Sequence, residues 1–152
     1  MKLLKPLAIT LLLNSPLTFA VDSQDFVKDN VFTQGIEGPT MYNGALYAVN
    51  YAQQGTIGRV DSMGKTSLFV RLPNDSVGNG LQFDSQGNLF IADYVNHNIL
   101  KVPAGSNKAE VFAHNSNMNQ PNDIAITKTG VLFASDPNWA NETGQLWRIN
   151  AD

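Results

Sequence analysis

The sequence predicts an all-β fold built from one four-stranded antiparallel unit repeated about three times. Three observations carry that prediction. Gly44-Ala45-Leu46-Tyr47-Ala48-Val49-Asn50, Gly87-Asn88-Leu89-Phe90-Ile91-Ala92-Asp93 and Gly130-Val131-Leu132-Phe133-Ala134-Ser135-Asp136 align without a gap, and their glycines are 43 residues apart both times. The runs around them are short, rich in Val, Ile and Phe, and separated by Gly, Asn, Asp and Ser, which is the pattern of strands joined by tight turns. No segment after residue 25 shows a 3.6-residue hydrophobic period. Four strands in about 43 residues is the unit of a β-propeller blade. A sandwich with regular hairpins is the alternative, and two gapless spacings weigh against it.

The chain opens on an address rather than a fold element. Lys2 and Lys5 form a positive start, Leu7 to Leu13 an apolar stretch, and Thr18-Phe19-Ala20 places small residues where a signal peptidase cuts. A membrane anchor needs about 18 apolar residues, and this run breaks at Asn14. The expectation is a signal peptide over 1–20 and a mature chain over 21–152 that is periplasmic or secreted.

Each repeat then reads in the same order. A first strand is expected at Gly38-Pro39-Thr40-Met41, at Leu81-Gln82-Phe83 and at Ile124-Ala125-Ile126, and the aligned glycine run follows as the second. The third is Ile57-Gly58-Arg59-Val60, Ile99-Leu100-Lys101-Val102 and Leu146-Trp147-Arg148-Ile149. A fourth follows in the first two repeats, as Ser67-Leu68-Phe69-Val70 and Ala109-Glu110-Val111-Phe112-Ala113. Asp61-Ser62-Met63-Gly64 and Asp84-Ser85-Gln86-Gly87 have turn chemistry, an Asp that can bond its own backbone and a Gly free to take positive φ. Propellers generally use four to eight blades to hide their sheet edges. About three blades therefore form an open arc, which the reading expects to be completed by further sequence or by another chain.

Composition narrows the chemistry. The 152 residues hold 10 Lys and Arg against 13 Asp and Glu, and removal of Lys2 and Lys5 leaves a net charge of about −5. Such a surface repels nucleic-acid phosphates and anionic lipid and suits a neutral ligand or a cation. Cysteine is absent, which excludes disulfides, thiolate nucleophiles and Cys-bound zinc. No segment after the signal is apolar and long enough to span a bilayer.

The repeat register also says where a site would form. With one residue of slack, Glu37, Asn79 and Asn122 hold the same position just before the first strand of each unit. Innermost strands line a propeller's channel, so these residues converge on one axis. One carboxylate with amide oxygens is the donor set of a hard cation, Ca²⁺ first and Mg²⁺ or Mn²⁺ next. Asn and Asp beside Gly or Pro are also common turn residues, a reading that applies to Asn79 more than to Glu37. Trp139 lies in the loop after a strand, where it either stacks on a sugar or anchors the loop. Asn50, Asp93 and Asp136 share a strand end, where capping backbone amides is the expected role.

The Glu37-Gly38-Pro39 motif, Asn79-Gly80-Leu81 leading to Asp84 and Gly87, and Asn119-Gln120-Pro121-Asn122-Asp123 leading to Gly130 and Ser135-Asp136-Pro137 resemble the first half of the gluconolactonase and regucalcin family of six-bladed propellers. The likeness runs from about Phe32 to the C-terminus. It implies hydrolysis of a sugar lactone or ester around one divalent cation, Ca²⁺ preferred and Mg²⁺, Mn²⁺ or Zn²⁺ the others. It implies Glu37 and Asn122 as metal ligands, with Asn79 and Asn119 at the channel mouth. The family's other two ligands, an asparagine and the aspartate often assigned as general base, belong to later blades. No catalytic residue is therefore assigned in this chain, which the reading expects to be inactive alone.

His97 and His114 have no Ser or Cys motif near them and make no triad. The Asn96-His97-Asn98 turn resembles those of NHL-repeat propellers, and it supports the alternative function, a non-catalytic extracellular propeller that binds a protein or glycan. Asn74-Asp75-Ser76 and Asn141-Glu142-Thr143 fit a glycosylation sequon that matters only in a eukaryotic secretory pathway.

Overall fold

A computed structural model describes residues 20–150, so the expected signal peptide, apart from Ala20, lies outside the described residues. Three antiparallel sheets follow one another along the chain. The first is β1 (Thr40–Tyr42), β2 (Ala45–Val49), β3 (Thr56–Val60) and β4 (Thr66–Arg71), paired in that order. The second repeats it with β5 (Gly78–Phe83), β6 (Leu89–Asp93), β7 (Asn98–Val102) and β8 (Glu110–His114). In the third, β9 (Ile124–Ile126), β10 (Leu132–Asn138) and β11 (Thr143–Ile149) pair as β11-β10-β9. Every expected strand is present, and within each sheet consecutive strands neighbour one another, as in propeller blades.

Turn chemistry fixes the register. Asp61 Oδ1 accepts from Met63 N and Lys65 N at 2.9 and 3.0 Å, while Gly64 takes φ +78°. Asp84 repeats the device with Gln86 N and Asn88 N, both at 2.9 Å, and Asn88 Nδ2 adds a bond of 2.7 Å. In the third sheet Thr127 stands in for the aspartate, its hydroxyl accepting from Val131 N at 3.0 Å. The β1–β2 hairpin closes instead on Asn43-Gly44, both at positive φ, the two-residue turn whose twist matches that of its strands.

Alternation along each strand builds the core between sheets rather than within one. Ala45, Tyr47, Val49 and Ile57 of the first blade pack against Leu81, Leu89, Ile91 and Leu100 of the second. Phe90, Ala92 and Ile99 face the other way, onto Leu132 and Ala134 of the third. All five residues of β6 are buried because that strand has a blade on either side. Among the described residues the outward face of the third blade has none, and Leu146 on β11 is 72 % exposed. The outward face of the first blade is covered by the preceding segment: Phe32 bridges Tyr51 and lies over Gly58, where a Cβ would come within 2.7 Å of its ring.

Candidate functional site

The starts of the inner strands are drawn together by backbone geometry. On β5 the pairing with β6 shifts between Gly78 and Leu81, a bulge that frees Asn79 and Gly80 from their own sheet. Gly80 N–H then donates to Asn122 O of the next blade at 2.6 Å. The approach requires glycine: a Cβ at Gly80 would stand 2.3 Å from Asn122 O, and one at Gly38 would stand 2.1 Å from Asn79 O. Glu37-Gly38, Asn79-Gly80 and Asn122-Asp123 therefore form a backbone stair, the first two steps each resting on the next blade.

The first and third steps are also tied to their own second strands. Glu37 O accepts from Val49 N at 3.2 Å. Asn122 N donates to Ser135 O at 2.8 Å, Ser135 N to Asp123 O at 3.1 Å, and Asp123 N to Ser135 Oγ at 3.0 Å. With their backbones held, Glu37 is exposed and Asn79 and Asn122 are half-buried, so all three retain access to solvent. Asp123, beside Asn122, is exposed.

Behind the stair lies a buried aspartate clasp. Asp136 accepts from Asn119 N at 3.0 Å, from Gln120 N at 2.6 Å and from Trp147 Nε1 at 2.7 Å. Asp93 does the same one blade earlier, accepting from Ser76 Oγ, Val77 N and Asn98 Nδ2. Backbone capping is thus the role of this strand-end position in both blades. Asn50 holds the place in the first blade, where its Nδ2 reaches Gly35 O at 2.6 Å while its buried Oδ1 has no partner among the described residues. Trp147, a member of the clasp, was not singled out from the sequence. Its indole N–H, aimed at an acid in a repeated position, is the signal that would have found it.

The third blade gathers the remaining candidates. Asn119 Oδ1 accepts from Asn138 Nδ2 at 3.0 Å, and Asn138 Oδ1 in turn accepts from Asn141 N at 3.2 Å, capping the short 3-10 turn Trp139–Asn141. Asn119 thus holds the loop that carries Trp139. Trp139 is 72 % exposed, so it is no buried anchor. It shares a cavity of about 550 Å³ with Asn122, Ser135 and Leu146. Trp139 and Asn122 border one open space.

The two histidines stay apart from this region in role. His114 Nδ1 meets Asn98 Oδ1 at 2.8 Å, extending the Asp93 clasp outward. His97 sits at φ +60° in its turn, and Asn96 Nδ2 bonds Asn74 O and Ser76 Oγ beside it. The Asn96-His97-Asn98 turn is structural.

Donor chemistry can be set against a hard cation. One carboxylate and amide oxygens are of the right kind, but Ca²⁺ takes six to eight oxygens. Among the described residues no three of His, Cys, Asp and Glu gather as a metal-binding group. The stair offers one carboxylate, that of Glu37, and the side-chain amides of Asn79 and Asn122.

No family model and no curated protein matches this chain. Solved structures do. A gluconolactonase from Xanthomonas campestris superposes with a TM-score of 0.64 at 15 % identity, over 76 % of this chain and 44 % of that one. A streptogramin B lyase gives 0.63 at 16 %, over 82 % and 43 %. A luciferin-regenerating enzyme gives 0.60 at 13 %, over 74 % and 44 %. The fold is that of the gluconolactonase-type propellers. The chain spans less than half the length of each of these three. Among the described residues no helix is long and apolar enough to cross a membrane.

Proposed function

We propose that the chain supplies one wall of a divalent-metal-dependent hydrolase of sugar lactones or related esters, acting outside the cytoplasm. The observation that supports the reading is the backbone stair, in which the segments carrying Glu37, Asn79 and Asn122 at the starts of the inner strands meet from blade to blade. A fold alone does not choose a reaction, and a lyase shares this one at nearly the same similarity. The choice of a lactone rests on Glu37-Gly38-Pro39 and Pro121-Asn122-Asp123, with an exposed Trp139 beside Asn122 where a sugar face would stack.

In this reading Glu37 and Asn122 hold a hard cation, Ca²⁺ before Mg²⁺, Mn²⁺ or Zn²⁺. The cation supplies Lewis acidity, stabilising charge on the lactone's carbonyl oxygen. The chain's own part is to orient the substrate, with Asn79 and Asn119 at the channel mouth. The general base and the remaining ligands come from completing blades, in further sequence or another chain.

The test is a titration of the chain with a sugar lactone, with and without Ca²⁺, followed by NMR so that binding and ring opening are both read. Metal-dependent binding that disappears in Glu37→Gln, with ring opening at the background rate, supports the proposal. Binding indifferent to both metal and Glu37 overturns it.

A further inference from the structure

A second, independent groove lies at the far ends of β5 and β9, away from the stair. Its origin is visible in a comparison of the two blade junctions. Between the first and second blades, four rings fill the space. Tyr47 meets Phe69 edge to face at 5.0 Å, Phe83 meets Tyr47 at 4.9 Å, and Tyr42 stacks on Phe83 at 4.5 Å. Phe69 is aimed inward by the bulge that shifts the β3–β4 pairing after Ile57.

The second junction repeats only half of this. The β7–β8 pairing shifts after Ile99 and aims Phe112 at Phe90, with the same 5.0 Å separation and 77° angle as the Tyr47–Phe69 pair. The counterpart of Phe83, 43 residues on, is Ile126, and the place of Tyr42 is taken in the second blade by Asp84. Two rings are missing, and a groove of about 480 Å³ opens over Phe90 and Phe112. Lys101 Nζ stands 5.7 and 5.6 Å from these two ring centres, and Lys128, on the β9–β10 turn, also lines the groove. The one carboxylate in the groove, that of Asp84, is already engaged by Gln86 N, Asn88 N and Asn88 Nδ2.

We propose that this groove binds a small aromatic carboxylate, whose ring takes the place left by the missing aromatics and whose anion lies between Lys101 and Lys128. Aromatic rings prefer edge-to-face or offset neighbours, which Phe90 and Phe112 present, and two ammonium groups select an anion over a neutral ring. Thr127 and Thr129, whose hydroxyls bond each other at 3.0 Å, line the groove and leave one hydroxyl donor free.

Benzoate is the probe, titrated into the whole chain and read by saturation-transfer NMR. Saturation transfer to benzoate is expected, with benzamide about threefold to fivefold weaker, the worth of a partly exposed ion pair. Ile126→Phe restores the ring and should abolish transfer while raising the melting temperature. Lys101→Met should weaken benzoate by a similar roughly threefold to fivefold factor without affecting benzamide. Absence of transfer to benzoate in the parent chain overturns the proposal. So does benzoate binding that is unchanged in both Ile126→Phe and Lys101→Met. Neither result touches the lactone reading, because Glu37 and Asn122 lie elsewhere.

Discussion

The backbone N–H of Gly80 donates to the carbonyl of Asn122 across 2.6 Å, joining the inner strands of two blades at the positions the repeat register picks out. That bond exists because β5 bulges and because Gly80 has no side chain. Gly80→Ala would put a methyl group 2.3 Å from Asn122 O and 2.7 Å from Asp123 Cα. The cost should be about 1–3 kcal/mol of stability, as for other overpacked sites, read from urea unfolding. Gly144→Ala, whose Cβ meets nothing closer than 3.7 Å, should change stability by no more than about 0.5 kcal/mol.

Asp136 is 1 % exposed and satisfies two backbone amides and an indole. Its truncation leaves buried donors without an acceptor. Asp136→Ala should cost on the order of 3 kcal/mol, and the emission of Trp147 should shift as its N–H loses its partner. Chemical unfolding followed by fluorescence reads both effects at once.

Acid should loosen the turns built on Asp61 and Asp84. Burial opposes ionisation of Asp84, but its hydrogen bonds from Asn88 and Gln86 outweigh that and hold its carboxyl below the ordinary 3.8. Asp61 is lowered too, first by the backbone N–H groups of Lys65 and Met63. A carboxylate with a depressed folded pKa contributes stability that is complete above the unfolded value and fades as pH falls through the folded one. Stability should therefore decline below 3.8, and Asp84→Asn should flatten that decline. Thermal melts across the acid range would show it.

Trp139 separates binding from folding. At 72 % exposure its removal leaves little packing to lose, so Trp139→Ala should alter stability by less than about 0.5 kcal/mol. Sugar-lactone binding should fall in the same variant. A large drop in melting temperature without a change in binding would mark the indole as scaffold.

Much of this was legible in the sequence because blades repeat. The 43-residue spacing of Gly44, Gly87 and Gly130 located every strand, and Asp61 and Asp84 announced their turns. The shared register of Glu37, Asn79 and Asn122 was readable, yet the backbone approach of Gly38 to Asn79 and of Gly80 to Asn122 was not: a bulge at Asn79-Gly80 is a pairing event, invisible until two strands are laid side by side. The same holds for Phe69 and Phe112, which read as ordinary outer-strand residues until their bulges turn them inward. Trp147 was hidden for another reason, since its partner Asp136 is set by packing across β10 and β11 rather than by sequence spacing. Asn119 lay in a recognised motif, but only the fold shows its side chain fastening the Trp139 loop.

The most direct measurement of the central claim is a calorimetric titration of the chain with Ca²⁺ beside its Glu37→Gln variant. The account predicts heat of binding in the parent chain and its loss in Glu37→Gln, with the fold unchanged by circular dichroism. Equal binding by the two chains would contradict it.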